Sequence, residues 1–239
     1  MSDDMTGEFR VSARRAIRTL RVGREASPVI VVDDYLAEPR ALVDFAATHT
    51  RFGAPKNWYP GLRAEPLPKA YVVETLGALH RVIGETFELP VAGSVHTNTY
   101  FGLATTAPAD LLPLQRLPHF DTPNPRQIAL LHYLCDAAHG GTSFFRHRAT
   151  GYESMSEERV RSYFDCVERE LREGGPRPAR YASGDDDLFE EIARIDATFN
   201  RLIVYRSCVL HSADVNAALG LSRDPRAGRL TANTFISYR

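Results

Sequence analysis

Among the eight histidines and many carboxylates of this sequence, His119 and Asp121 stand out as metal-donor types two residues apart. His119 and Asp121 flank Phe120 in the triplet HFD. In an extended segment, residues i and i+2 point to one face, so an imidazole and a carboxylate would project together while Phe120 turns into the core. Alone the triplet is weak, because it arises by chance in many proteins. A third donor, His211, ends the run NRLIVYRSCVLH at residues 200–211, where an apolar strand would hold it rigidly. Two histidines and a carboxylate on three faces of an octahedron leave three positions open. That arrangement suits Fe(II), which must bind a co-substrate and O2 together. Arg229, in GRLTANTF, is expected at the start of the last strand. Its planar fork suits both oxygens of a carboxylate, and Thr231 shares its face. Taken singly, Arg229 reads first as an ordinary surface Arg at a strand end.

The elements that must position these groups can be read by periodicity. Residues 1–8 read as a loose tail. Residues 9–22 alternate weakly, as an Arg-rich edge strand would, and PVIVV at 28–32 reads as a buried strand. A helix fits 39–49, with Pro39 in its first turn and Leu42, Val43, Phe45 and Ala46 as its apolar stripe. Residues 52–68, which contain NWYPGLR, are rich in Pro and Gly and read as one long loop, of the kind that often serves function. A second helix fits 74–87. Strand-like runs then cover 95–103, 127–135, 142–145, 201–205 and 230–238, with helical segments at 156–172 and 185–194. Helices first and a mostly β half afterwards predict an α+β protein around a β-sandwich or barrel.

The chain has 239 residues, 44% hydrophobic and 25% charged, which suits one soluble domain able to bury a sizeable core. Its 29 basic and 30 acidic residues give a formal charge of -1, so no global field recruits nucleic acid or an anionic membrane. The basic residues are almost all Arg, with Lys56 and Lys69 as the exceptions. Three cysteines, Cys135, Cys166 and Cys208, form no CxxC, which argues for a reducing compartment and against a thiolate zinc site. No stretch approaches the roughly 20 apolar residues of a membrane span. The start, with Ser2, Asp3 and Asp4, lacks the apolar core of a secretory signal. The expected setting is cytoplasmic.

The ordered motifs resemble those of the 2-oxoglutarate and Fe(II)-dependent dioxygenases, in particular the prolyl-hydroxylase-like branch. HFDTPNPR at 119–126 is similar to that branch's HxD turn followed by an Arg. QIALLHYLC at 127–135 is similar to its strand ending in Tyr-Leu-Asn, GGTSF at 140–144 to its GGETxF, and NRLIVY at 200–205 to the strand before its distal histidine. Arg229 and Thr231 resemble its Arg-x-Ser/Thr pair, and the early PVIVVDDYL resembles a common opening. The resemblance covers residues 117–235 well and the first half loosely.

It implies a single domain with a double-stranded β-helix (jelly-roll) core over 91–239, flanking helices, an N-terminal support over 9–90 and a helical insert near 156–194. His119, Asp121 and His211 would bind Fe(II). Arg229 would pair with the distal carboxylate of 2-oxoglutarate, assisted by Thr231 and by the Tyr133 hydroxyl. Tyr133 reads equally well as a core aromatic. The implied reaction couples O2 and decarboxylation of 2-oxoglutarate to hydroxylation of a substrate C–H bond, and Asp121 disfavours halogenation. Three departures stand out: a longer stretch between His211 and Arg229 that holds Arg223 and Arg226 as rival anchors, Cys135 in place of Asn, and Thr142-Ser143 in place of Glu-Thr.

Candidates for a substrate pocket are Tyr59 and Arg63 in the long loop, and Arg146, His147 and Arg148 after GGTSFF, the latter also readable as a solvated strand end. Arginines facing the cavity would imply an anionic substrate. A small metabolite or amino-acid-like substrate is preferred over a protein side chain. His96, His132, His139 and His147 read as structural or solvent-facing. A metal-free binding protein and a cupin-like metal protein that does not use 2-oxoglutarate are the competing readings; an intact Arg229 speaks against the latter.

Overall fold

The computed structural model describes residues 8–55, 58–90, 95–219 and 221–238. The expected tail, apart from residue 8, and Asn57 of NWYPGLR lie outside them. Alternating apolar residues build a seven-stranded antiparallel sheet, in the order β1 (Ala16–Val22), β2 (Ser27–Asp33), β8 (Arg201–Arg206), β5 (Gln127–Tyr133), β10 (Arg229–Tyr238), β4 (Val95–Ala104), β3 (Gly61–Ala64). A second antiparallel sheet has the order β7 (Phe189–Asp196), β6 (Gly140–His147), β9 (His211–Val215). Three α-helices accompany them: α1 (Pro39–His49), α2 (Lys69–Phe87) and α3 (Glu157–Gly174). No helix among the described residues is long and apolar enough to cross a membrane.

The large sheet is apolar on both faces, which explains why its central strands read as continuous hydrophobic runs. Ile30 and Val32 of β2, Ile128 and Leu130 of β5, Leu202 and Val204 of β8 and Leu230 of β10 pack with Leu42 of α1 and Leu79 and Ile83 of α2. The alternate residues Val29, Val31, Ala129, Tyr133, Ile203 and Tyr205 turn the other way, toward Phe144 of β6 and Ile195 of β7. Period-two alternation thus separates a helix-covered core from the space between the sheets. Each fully buried Ile or Leu contributes about 1.5–3 kcal/mol.

Asn200 joins the two regions of chain that lead into the sheet. It adopts a positive φ of 68°, tolerable for Asn. Its side chain bonds both backbone groups of Leu36, at 2.9 Å each, and its Oδ1 is 3.2 Å from His132 Nε2. Because Oδ1 is the acceptor there, His132 Nε2 carries the proton, and Nδ1 accepts from the Tyr71 hydroxyl at 3.2 Å. His132 is fully buried, as a structural histidine on that face should be.

Two expectations about elements are corrected. Residues 185–194 are not a helix: β7 begins at Phe189 and pairs with β6 from His147↔Phe189 to Gly141↔Asp196. The segment FEEIARID is rich in helix formers, but β6 needs an edge partner, and that pairing overrides local propensity. Asp186 prepares the turn by accepting the backbone N–H groups of Leu188 and Phe189. The helical insert is therefore α3 alone. Nor is 52–68 all loop, since Gly61–Ala64 adds to β4 as the edge strand β3.

Candidate metal centre

The HFD segment is held by backbone bonds to the region around β9. His119 and His211 exchange both N–H···O bonds, at 2.8 and 2.7 Å, and the Asp121 N–H donates to the Ser207 carbonyl at 2.8 Å. These bonds bring three side chains together. His119 Nε2 is 3.9 Å from Asp121 Oδ1, and His211 Nε2 is 3.9 Å from Asp121 Oδ2. The two imidazole centroids are 4.4 Å apart, and the three candidate ligand atoms lie within 4.8 Å of one another. Phe120 faces the other way only in part: it packs on Tyr163 and Phe164 of α3, with centroids at 6.2 and 6.0 Å.

The donor set is suited to a cation. His211 Nδ1 is 2.9 Å from the Val209 carbonyl, so Nδ1 carries the proton and the Nε2 lone pair faces its partners. Desolvation lowers the pKa of both histidines to about 4, and for His119 the neighbouring His211 adds to the effect. Both imidazoles are then neutral near pH 7, the form that ligates. Burial pushes Asp121 above the usual carboxylate range, opposed by His119, the Ser207 hydroxyl and Arg63. A cation between the three would relieve that desolvation.

The site opens into a cavity of about 650 Å³, lined by all three candidate ligands and by Arg63, Tyr100, Thr142, Arg229, Thr231 and Asn233. The strand register explains the grouping. Arg229, Thr231 and Asn233 alternate on one face of β10, opposite Ala104, Gly102 and Tyr100 of β4, and Arg63 of β3 is opposite Gly102. Arg229 is 2% exposed, with Nη2 donating to the Gly141 carbonyl at 2.6 Å and Nε without a partner among the described residues. Its neighbour Asp214 pairs instead with Arg194 at 2.7 Å. Gly141 allows this approach to β7: a Cβ there would meet the Ile195 carbonyl at 2.3 Å.

The remaining candidates separate cleanly. Thr231 lines the cavity and accepts from Asn233 Nδ2 at 2.9 Å. Tyr133 does not line it; its hydroxyl is 2.6 Å from Thr142 Oγ1, and its ring lies 5.9 Å below the Arg229 guanidinium. Tyr59 does, with its hydroxyl over Gly102, where a Cβ would come within 2.7 Å of it. Burial raises the Tyr59 pKa, while Arg229, Arg63 and the Thr231 hydroxyl act to lower it. Arg63 lines the cavity, stacked 3.6 Å from the Tyr100 centroid.

Arg146 and Arg148 are corrected, since neither is among the lining residues. Arg146 is buried in ion pairs with Glu153 at 2.5 Å and Glu190 at 2.6 Å, and Arg148 pairs with Asp185 at 3.2 Å. His147 is fully buried between Thr150 at 2.9 Å and Glu170 at 2.8 Å, within a second possible donor group that includes Cys166. Of the rival anchors, Arg223 is exposed and Arg226 pairs with Asp44 at 2.9 Å. Sequence reasoning did not single out Tyr100 or Asn233, although their period-two spacing from Gly102 and Thr231 places them on the same faces.

Residues 13–236 match the family described as a family of unknown function (DUF6445), and the chain belongs to that family. No curated protein matches the sequence. Similar solved structures include HygX from Streptomyces hygroscopicus with nickel and 2-oxoglutarate bound, at 13% identity and a TM-score of 0.46, over 90% of this chain and 84% of that one. AviO1 from Streptomyces viridochromogenes Tue57 aligns at 11% identity and a TM-score of 0.42, over 94% and 88%. An N-substituted L-amino acid dioxygenase from Burkholderia ambifaria AMMD aligns at 15% identity and 0.39, over 89% and 82%.

Proposed function

We propose that this DUF6445 member is an Fe(II)- and 2-oxoglutarate-dependent oxygenase that hydroxylates a C–H bond of a small molecule. The observation that carries the reading is a single cavity holding both the two-His, one-carboxylate set and a buried guanidinium. Arg229 makes no ion pair among the described residues, and a buried cation of that kind calls for an anionic partner. The distal carboxylate of 2-oxoglutarate supplies one, with its two oxygens matched to the fork.

The topology supports a double-stranded β-helix core in one domain. From β4 onward the chain passes repeatedly between the two sheets. β4, β5, β8 and β10 belong to the large sheet, and β6, β7 and β9 to the small one, with His119 bridged to β9.

In this reading His119, Asp121 and His211 hold iron on one side of the cavity. The Val209 carbonyl fixes the His211 tautomer, and Ser207 orients Asp121. Arg229, with Thr231 and the Tyr59 hydroxyl near it, holds the co-substrate carboxylate; Tyr133 acts only through Thr142. Bound iron with 2-oxoglutarate and O2 would supply the oxidising power that converts C–H to C–OH, releasing succinate and carbon dioxide. Asp121 fills a position that a halogenating centre would leave to halide. Trp58, Leu114 and Phe164 rim the cavity and would shed water from it once substrate enters.

Anaerobic addition of Fe(II) and 2-oxoglutarate tests the proposal. A visible metal-to-ligand charge-transfer band is expected in the wild-type chain and absent in His119→Ala. Folded wild-type protein that develops no band refutes it.

A further inference from the structure

The cavity contains a second guanidinium that the co-substrate does not need. Arg63, on the edge strand β3, makes no ion pair among the described residues. Its Nη2 donates to the Tyr100 hydroxyl at 2.9 Å, and its plane lies over the Tyr100 ring at 3.6 Å and the Tyr59 ring at 4.9 Å. Its Nε has no partner among the described residues. Two aromatic faces and a hydroxyl hold the guanidinium in place, yet no described carboxylate forms an ion pair with it. That is the condition of a binding arginine before its ligand arrives.

Arg63 and Asp121 also border an adjoining polar compartment of about 370 Å³, lined further by His96, Asn98, Gln127 and Ser237. These side chains offer hydrogen bonds to a polar head group. On the other side, the mouth of the main cavity is apolar and open: Trp58, Leu114 and Phe164 are 62%, 52% and 44% exposed. Ligand chemistry is therefore graded, from a polar, cationic end beside the metal ligands to an apolar, aromatic end at the entrance.

Charge balance narrows the class. On the Fe(II)/2-oxoglutarate reading, on which this inference rests, the dianionic co-substrate and Asp121 offset the metal and Arg229. The charge of Arg63 is left over. Glu168 also lines the cavity, but it is exposed at the rim on α3, where water screens it. One more negative charge inside is needed, and a planar fork selects a carboxylate.

We propose that Arg63 is the substrate-recognition residue and that the primary substrate is a small organic monocarboxylate with an apolar body, its carboxylate at Arg63 and its body toward Trp58 and Phe164. The reactive C–H would then lie between anchor and entrance, over the metal site.

Trp58 is the single tryptophan and reports on the cavity directly. The full chain, loaded with Ni(II) and 2-oxoglutarate, is titrated with 3-phenylpropionate, 5-phenylpentanoate and their amides while Trp58 fluorescence is followed. The carboxylates are expected to bind about tenfold or more tightly than the matching amides, the ratio set by a charge-assisted pair. Arg63→Gln abolishes the preference, and Arg63→Lys, which keeps the charge without the fork, retains part of it; the thermal midpoint of each variant checks folding. No saturable carboxylate response, equal binding of acid and amide, or a preference that survives in folded Arg63→Gln overturns the proposal. Calorimetry of 2-oxoglutarate on the Ni(II) protein is run in parallel. If 2-oxoglutarate fails to bind while the Arg63-dependent preference persists, the co-substrate reading falls and the Arg63 assignment stands.

Discussion

Replacing Arg229 probes the co-substrate reading at its most specific point. The side chain is 2% exposed and, among the described residues, makes one hydrogen bond, from Nη2 to the Gly141 carbonyl. The residue lines a cavity in which no described carboxylate pairs with it. A bidentate carboxylate there would gain about two charge-assisted bonds, at about 1.5–3 kcal/mol each. Arg229→Met removes both, a loss of about 3–5 kcal/mol, which weakens 2-oxoglutarate binding by roughly two to three and a half orders of magnitude. Arg229→Lys keeps the charge but loses the fork, and its expected loss is about 1.5–3 kcal/mol, roughly 10- to 100-fold. Stability moves less: the orphaned Gly141 carbonyl costs about 1–3 kcal/mol, offset by removal of an unpaired buried charge. The assay is titration of 2-oxoglutarate into Fe(II)-loaded protein under argon, read from the charge-transfer band, with a urea midpoint as the folding control. Folded Arg229→Met that binds 2-oxoglutarate within about threefold of wild type would falsify the assignment of this residue as the anchor.

Arg146→Met tests the correction of that residue from substrate contact to scaffold. It strands Glu153, 1% exposed, whose remaining partners are the backbone N–H groups of Arg24 and Glu25, so urea denaturation should show a loss of about 3–5 kcal/mol. The same variant should bind Fe(II) and 2-oxoglutarate as wild type does, and weakened ligand binding in the folded protein would return Arg146 to the site. His132 sets a pH dependence of stability. Burial lowers its pKa to about 3, below the ordinary value of 6.5, so between those values the unfolded chain binds the extra proton. Its contribution is therefore complete above about pH 6.5 and is lost progressively as pH falls toward 3. His132→Gln should flatten the slope of the urea midpoint between pH 6.5 and 4.5, and an unchanged slope would assign it to other groups.

The sequence alone was enough to single out the groups whose chemistry is local. The HFD triplet, His211 and Arg229 are each weak signals taken singly and stood out only as an ordered series of motifs. Continuous apolar runs marked the strands buried on both sides, and helix α1, Pro39–His49, was read over the same residues from its stripe and its first-turn proline. Pairing was not legible. FEEIARID has the composition of a helix and becomes a strand because β6 lacks a neighbour on that side. Gly61–Ala64 looked like loop because Pro and Gly surround it, and only docking on β4 makes it β3. That edge decided the most consequential matter, namely which arginines face the cavity. Arg63 enters it through the register with Gly102 and Thr231, while Arg146, on a strand that contributes Thr142 to the same cavity, turns into ion pairs with Glu153 and Glu190. Residue types carry the available chemistry, but the direction of a guanidinium depends on strand partners far away in sequence, and those exist only once the sheets have formed.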